Sequence, residues 1–507
     1  MSTPRNNIPF QRVDNFRGVN AKDSQENLVS GEWQKDSINI ISDPQGSIGT
    51  RKGFSPITTA TVGTAVAWCG FYQFTLSTGV SRFIGGTSDG KLYEYASSAY
   101  ALLKTGMGTP DDDDRYTFHQ LNDICIVTDG KNKPSKCTST GSAATLAGTT
   151  ITADFGLEAW RYSWLHPTAD PRTLFYCNTL GDAESGYESF INFDEDPYSV
   201  TGACRQGDDM IVGKPFSLFR LRYTGTADLF AKYRIPSKVG PVNFQVMKET
   251  PSGQVLFLAG DFNVYMLAGE SVISVGENIQ PVLREGKNTR LNKAVSGMLY
   301  DRSWYWISYT DTSNSTINDQ SVVMDYSRPY QDKWGKLQYP WFIFSIGANA
   351  MAEIFRNGKT FLWTGDYTGQ IQEQDSGTND NGSAFVATYK SPRFSFGDPT
   401  LNKKFTKLLF SYENKGSHSL TITFLINDNA GTQRSITEVM SGGSGASAIF
   451  GQAVFGTDVF TSEADVDVNR HIDRLGRFIE IIFNTIGVDE AWNIFNYSIL
   501  AKPLKRS

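Results

Sequence analysis

An apolar-aromatic run, a turn of Gly, Asp or Asn, and a second apolar-aromatic run recur along this chain, with almost no helical periodicity between them. The unit reads Gly70-Phe71-Tyr72-Gln73-Phe74, then Arg82-Phe83-Ile84-Gly85-Gly86, then Asp89-Gly90-Lys91-Leu92-Tyr93-Glu94-Tyr95. Near the other end Lys359-Thr360-Phe361-Leu362-Trp363 and Gln370-Ile371, around the turn Thr368-Gly369, repeat that grammar. A hairpin cannot bury its apolar face alone, so such units must stack, and many of them in series predict sheets arranged radially. The expected fold class is all-β: a β-propeller of six or seven blades with an extended N-terminal arm and a C-terminal β-sandwich-like domain.

Composition supports strands over disorder or coiled coil. Aromatics make up 13% of the 507 residues, glycine is frequent at 47, and charged residues stop at 20%. The formal net charge of −6 argues against a protein that grips nucleic acid by neutralising phosphates. It allows DNA as a passing cargo, because an acidic lumen repels phosphates. No apolar run approaches the ~20 residues of a membrane span, and the polar start Met1-Ser2-Thr3-Pro4-Arg5 has no apolar signal core. These features predict a soluble product made in the cytoplasm, with no membrane span. The five cysteines, Cys69, Cys125, Cys137, Cys177 and Cys204, form no C-x-x-C pair, and are read as buried small side chains rather than a disulfide framework or zinc site.

Three segments follow from the grammar. Residues 1–64 hold short anchors between turn signals and are expected to form an arm that ends in a hairpin at Asp43-Pro44-Gln45-Gly46. Residues 65–389 carry the propeller. Its expected strand pairs include Gln254–Leu258 with Asn263–Leu267, and Ser303–Tyr309 with Ser321–Tyr326. Residues 390–507 carry alternating strands at Phe405–Tyr412, Ser419–Ile426, Gly476–Phe483 and Trp492–Ile499, as in a sandwich, with a Gly/Ser/Ala-rich loop from Ser441 to Ala448. The polar stretch Asp375–Ser383 is read as a loop between blade strands.

Chemical motifs reduce to turns. Gly86-Thr87-Ser88-Asp89-Gly90 has the letters of a nucleophile elbow, yet a strand follows where that motif needs a helix. Asn357-Gly358-Lys359-Thr360 resembles the end of a phosphate loop, but its first glycine would fall on Glu353. The acidic runs Asp111–Asp114 and Asn192–Pro197 lack the regular spacing of a calcium loop and are read as solvated loops. The four histidines, His119, His166, His418 and His471, offer no ligand or base-plus-nucleophile spacing. The expectation is therefore no enzyme, and no catalytic, cofactor-binding or metal residues. A competing class, a receptor-binding or glycan-cleaving tail protein, would gather Trp160, Tyr162 and Trp164 with Asp170 and Arg172. The plainer reading is that these aromatics are what a blade strand buries. Repeated S-x-D-x-G-x-x-W turns of sialidase-like propellers do not occur.

The stretch Asn15-Phe16-Arg17-Gly18-Val19-Asn20, Leu28-Val29-Ser30-Gly31-Glu32, Ser37-Ile38-Asn39-Ile40 and Gly46-Ser47-Ile48-Gly49-Thr50-Arg51-Lys52-Gly53-Phe54 resembles the opening of tail hub and nozzle proteins of short-tailed bacteriophages. It departs from them at Val19, where a second glycine is common. Phe118–Pro134 and Gly240–Tyr265 extend the resemblance in spaced phrases over residues 15–375. The resemblance implies a virion structural protein, a homohexameric ring beneath the portal and adaptor. Such a ring contacts tail fibre, tailspike or needle proteins and gates double-stranded DNA on its way out. Subunit contacts are expected from the arm and the sandwich, so that truncating residues 1–55 would leave a folded monomer unable to form rings.

Overall fold

A computed structural model describes residues 10–63, 66–108, 111–311, 316–413, 417–427, 433–441 and 466–504. Residues 442–448 of the Gly/Ser/Ala-rich piece and the polar start fall outside them. The chain divides into two compact units, one of residues 55–327 and 346–374, the other of residues 1–54, 328–345 and 375–507.

The first unit is a propeller of seven sheets among the described residues. Each sheet begins at the axis and meanders outward, as in the first blade, whose strands Trp68–Thr75, Ser81–Thr87, Lys91–Ala96 and Ala99–Thr105 pair antiparallel in sequence order. The innermost strands are Trp68–Thr75, Thr117–Leu121, Ala153–Ala159, Gly202–Gln206, Lys248–Glu249, Val295–Leu299 and Ala350–Arg356. Each touches the next, and the last touches the first, so the ring is closed. The expected strand pairs are present: Val255–Leu258 pairs with Val264–Ala268, and Trp304–Tyr309 pairs with Gln320–Asp325.

Alternation explains the inner strands, where Thr117, His119 and Leu121 are buried and Phe118 and Gln120 less so. Mid-blade strands packed on both faces read as continuous apolar runs, as in the fully buried Trp304–Tyr309. Side chains from successive blades interleave into shared cores, one of them built on Ile126, Phe155, Trp164, Leu174 and Phe219. The seventh blade, Ala350–Arg356, Lys359–Gly365 and Ile371–Gln374, takes its outer strand from the chain just after residue 54. There the Ile57 amide donates to the Ile371 carbonyl at 3.0 Å and the Val62 amide to the Gly369 carbonyl at 3.3 Å.

The second unit is a sandwich assembled from three separated stretches. One sheet orders Ile40–Ser42, Ile48–Thr50, Asn493–Pro503, Lys403–Glu413 and Val466–Gly476, with Phe10–Val13 also paired to Asn493–Pro503. The other orders Ala387–Lys390, Ile479–Thr485, Ser417–Ile426 and Arg434–Ser441. Their inner faces meet through aromatic rings, Phe410 with Phe483 at 6.0 Å and Phe483 with Tyr497 at 5.8 Å. Such ring pairs add about 0.5–1.5 kcal/mol beyond area burial. The Tyr389 and Tyr497 hydroxyls satisfy each other at 2.9 Å, and burial pushes both phenols up.

The expected divisions at residues 64 and 389 are thus replaced by boundaries near 54 and 374. The arm is no separate segment: Val13, Phe16, Trp33, Ile40 and Ile48 are buried in the sandwich unit, with Trp33 against Phe342 and Tyr389. Its turn forms as expected, the Gly46 amide donating to the Asp43 carbonyl at 3.0 Å with Gly46 at φ 87°. This is a type I turn whose following glycine takes the left-handed position. Because the arm's backbone and apolar side chains are already spent within its own unit, truncating residues 1–55 removes core rather than a free docking strand. The stretch Asp375–Ser383 likewise belongs to the sandwich, where Asp380 holds the buried Arg51 guanidinium through two bonds of 2.8 and 2.6 Å.

Candidate functional site

The convergence of seven inner strands leaves two chambers along the propeller axis. The first, about 250 Å³, is lined from every blade, including Tyr72, Phe118, Gly156, Ala203, Ser296 and Ala352. Tyr72 and Phe118 stack across it at 6.3 Å and 3°. The Lys248 ammonium meets the Glu353 carboxylate at 2.9 Å, and that carboxylate also accepts from the Met298 amide at 2.9 Å. The second chamber, about 370 Å³, is lined by residues that include Asp154, His166, Thr201 and Asn243. Phe155 and Phe244 line both chambers. They stack at 5.3 Å, with the His166 ring on Phe155 at 4.8 Å.

The acidic runs are exposed at Asp111, Asp112, Asp194 and Glu195, as read from the sequence, while Asp113, Asp114 and Asp196 are half-buried and act as clasps. Both Asp113 oxygens take Arg290 nitrogens at 2.7 Å, and Asp114 meets Lys131 at 2.6 Å. Burial pushes the Asp113 carboxyl up, but hydrogen bonds and charge from Arg290, aided by Lys293 and Arg115, hold it below its ordinary value. At Asp114 burial wins over Lys131 and raises the carboxyl. In the second run the Lys214 ammonium is fully buried, 2.9 Å from Asp196, and donates to the Phe193 carbonyl. Lys232 reaches Glu195 at 2.5 Å. The reason is positional: each run turns between neighbouring blades, where cations from distant segments converge.

The hairpin reading of Gly86–Gly90 is what the structure contains. The Gly90 amide donates to the Thr87 carbonyl at 3.0 Å, and the Ser88 hydroxyl accepts from the Ala67 amide at 2.9 Å. Asn357 and Gly358, at φ 54° and 75°, make the tight turn between the strands ending at Arg356 and starting at Lys359. Trp164 and Tyr162 are closed into the blade core, and Trp160 packs beside them on Tyr223 and Phe230. Asp170 instead accepts from Thr173 at 2.7 Å, and Arg172 meets Asp194 at 3.4 Å. Asp170 and Arg172 thus have partners other than the three aromatics.

His119 is buried, its Nε2 2.8 Å from the Ser163 hydroxyl, which also accepts from Tyr187 at 2.7 Å. Burial lowers its pKa to about 3. His166 is buried in the lining of the second chamber; His418 and His471 are in the sandwich. Among the described residues no group of three His, Cys, Asp or Glu side chains could hold a metal ion, and the five cysteines are free. Burial pushes the Cys137 thiol up to about 11. Sequence reasoning missed the axial Lys248–Glu353 pair and the Asp154–His166 pair, because neither has a local signature.

No helix among the described residues is long and apolar enough to cross a membrane. No protein-family profile and no curated protein matches the chain. Among solved structures, the WD40 β-propeller domain of Doa1 is similar over 64% of this chain and 96% of that one, at 8% identity and a TM-score of 0.40. The propeller assignment rests on the closed circuit of inner strands.

Proposed function

We propose that this chain is a structural protein of a short-tailed phage virion, a tail hub or nozzle subunit that forms a ring, six copies by analogy, below the portal and adaptor. In this reading it is a passive conduit and gate for genome retention and ejection, without catalysis, made in the host cytoplasm and resident in the tail. Its further partners are tail fibre, tailspike or needle proteins.

The observation that carries the reading is the N-terminal phrase from Asn15 to Phe54. Its residues have demanding positions in the sandwich unit: Gly18 sits at φ 98°, where a Cβ would lie 2.6 Å from the Trp341 amide nitrogen, and Arg51 is 2% exposed. Such a phrase is costly to vary without losing the fold, so its likeness to hub openings carries information about architecture. In this reading DNA passes along the centre shared by the copies of the ring. The excess of carboxylates over basic residues in the propeller suits a surface along which phosphates slide.

Negative-stain images and sedimentation of the purified full-length protein, alone and with portal rings, test this. Rings with a central hole of duplex width are expected. A protein that stays monomeric under both conditions overturns the reading.

A further inference from the structure

We infer that the chamber beside Asp154 is a binding site for a neutral polyhydroxylated ligand, a single hexose unit of a free sugar or of a glycan. At about 370 Å³ it falls within the ~300–1,000 Å³ of small-molecule sites. Most of its carboxylates are already spent. Asp113 and Asp114 are held by Arg290 and Lys131, and Asp129 accepts from the amides of Lys131 and Asn132 at 3.0 and 2.7 Å.

Asp154 is different. Its side chain is 44% exposed, and His166 Nδ1 lies 3.3 Å from it. His166 is 2% exposed; its Nε2 faces the Pro171 carbonyl at 3.1 Å, while Nδ1 makes no hydrogen bond. Arg115 Nε, on another wall, is also buried without a hydrogen-bond partner. A buried polar atom left without a partner costs about 1–3 kcal/mol, a cost that a ligand hydroxyl would remove.

The chamber therefore offers a carboxylate acceptor, a buried donor and an imidazole nitrogen beside the Phe244 ring, which is stacked on the buried Phe155. With Asp113 and Asp114 paired to Arg290 and Lys131, the remaining lining carboxylates, Asp129 and Asp154, are matched in number by Arg115 and Lys293. An anion would meet Asp154, and a metal ion would lack ligands. A sugar presents hydroxyls that both donate and accept, and a C–H face that suits a ring wall.

This inference does not rest on the ring-forming role. Saturation-transfer NMR and calorimetry on the full-length protein, with glucose, galactose, mannose and N-acetylglucosamine as probes, test it. Glycine, tetramethylammonium and inorganic phosphate serve as comparison ligands. Millimolar binding of at least one hexose is expected, weakened at least tenfold by Asp154→Asn and by His166→Gln, and unchanged by Asp170→Asn outside the chamber. Asp154→Asn should sediment as the wild type does, which separates this result from the assembly test. Failure of every hexose to bind, binding of only the charged probes, or hexose binding indifferent to Asp154→Asn overturns the assignment.

Discussion

The propeller and the sandwich are both built from antiparallel sheet, but they are sewn differently. Each propeller sheet before the last begins with strands consecutive in sequence, joined by short turns such as Asp89-Gly90. The sandwich has partners far apart in the chain: Gln34 donates to the Ser391 carbonyl across 357 positions, and Arg51 pairs with Asp380 across 329. Local pairing costs little loop-closure entropy, whereas distant pairing must be offset by dense burial. The difference teaches that the propeller can lose a contact and keep its blades, while the sandwich depends on a few buried anchors that hold its pieces together.

The harshest test of this contrast is deletion of residues 1–54. Hydrogen-exchange protection should vanish across 403–413 and 493–503 and persist in the propeller's inner strands. Equal loss in both would erase the distinction. Next, Trp33→Ala removes a fully buried ring from the sandwich and should cost about 3–5 kcal/mol in denaturant unfolding. In the propeller, Lys214→Ala strands Asp196 and should cost about 3 kcal/mol, with exchange faster chiefly in the third and fourth blades.

A pH effect sharpens the comparison further. His119 has its folded pKa lowered to about 3 from 6.5, so between those values the unfolded chain binds a proton that the folded one refuses. Stability should fall as pH drops through that window, and His119→Gln should flatten the fall in urea midpoints measured from pH 7 to 4. The smallest expected change is Ser88→Ala, about 1 kcal/mol from one lost hydrogen bond to the Ala67 amide. A larger effect would mean that this hairpin anchors more than its own blade.

The same contrast decides what could be read in advance. Turn chemistry at Asn357-Gly358 and alternation in Gln254–Leu258 are local, and they located blade strands correctly. The sandwich strands at Phe405–Tyr412 and Ser419–Ile426 were legible for the same reason. The strands Arg434–Ser441 and Val466–Gly476 were not recognised, because charged residues along them dilute the apolar signal. Pairing across hundreds of residues leaves no local trace, so the arm's place in the sandwich and the outer strand of the seventh blade were invisible. The acidic run at Asp111–Asp114 looked solvated because its cation, Arg290, lies 177 positions away. Of the candidate chamber, His166 and the acidic run holding Asp113 and Asp114 had been singled out, but not Asp154.

The bond from Ile57 to Ile371 has a consequence for synthesis. The strand that completes the seventh blade leaves the ribosome before the rest of the propeller, and its partner is among the last of the propeller to appear. At about 10 residues per second, the early strand waits on the order of half a minute with an open edge. During that interval a neighbouring nascent chain can offer the same partner. Translation of many copies from one message therefore sets this protein a choice between closing its own circle and exchanging strands with its sibling.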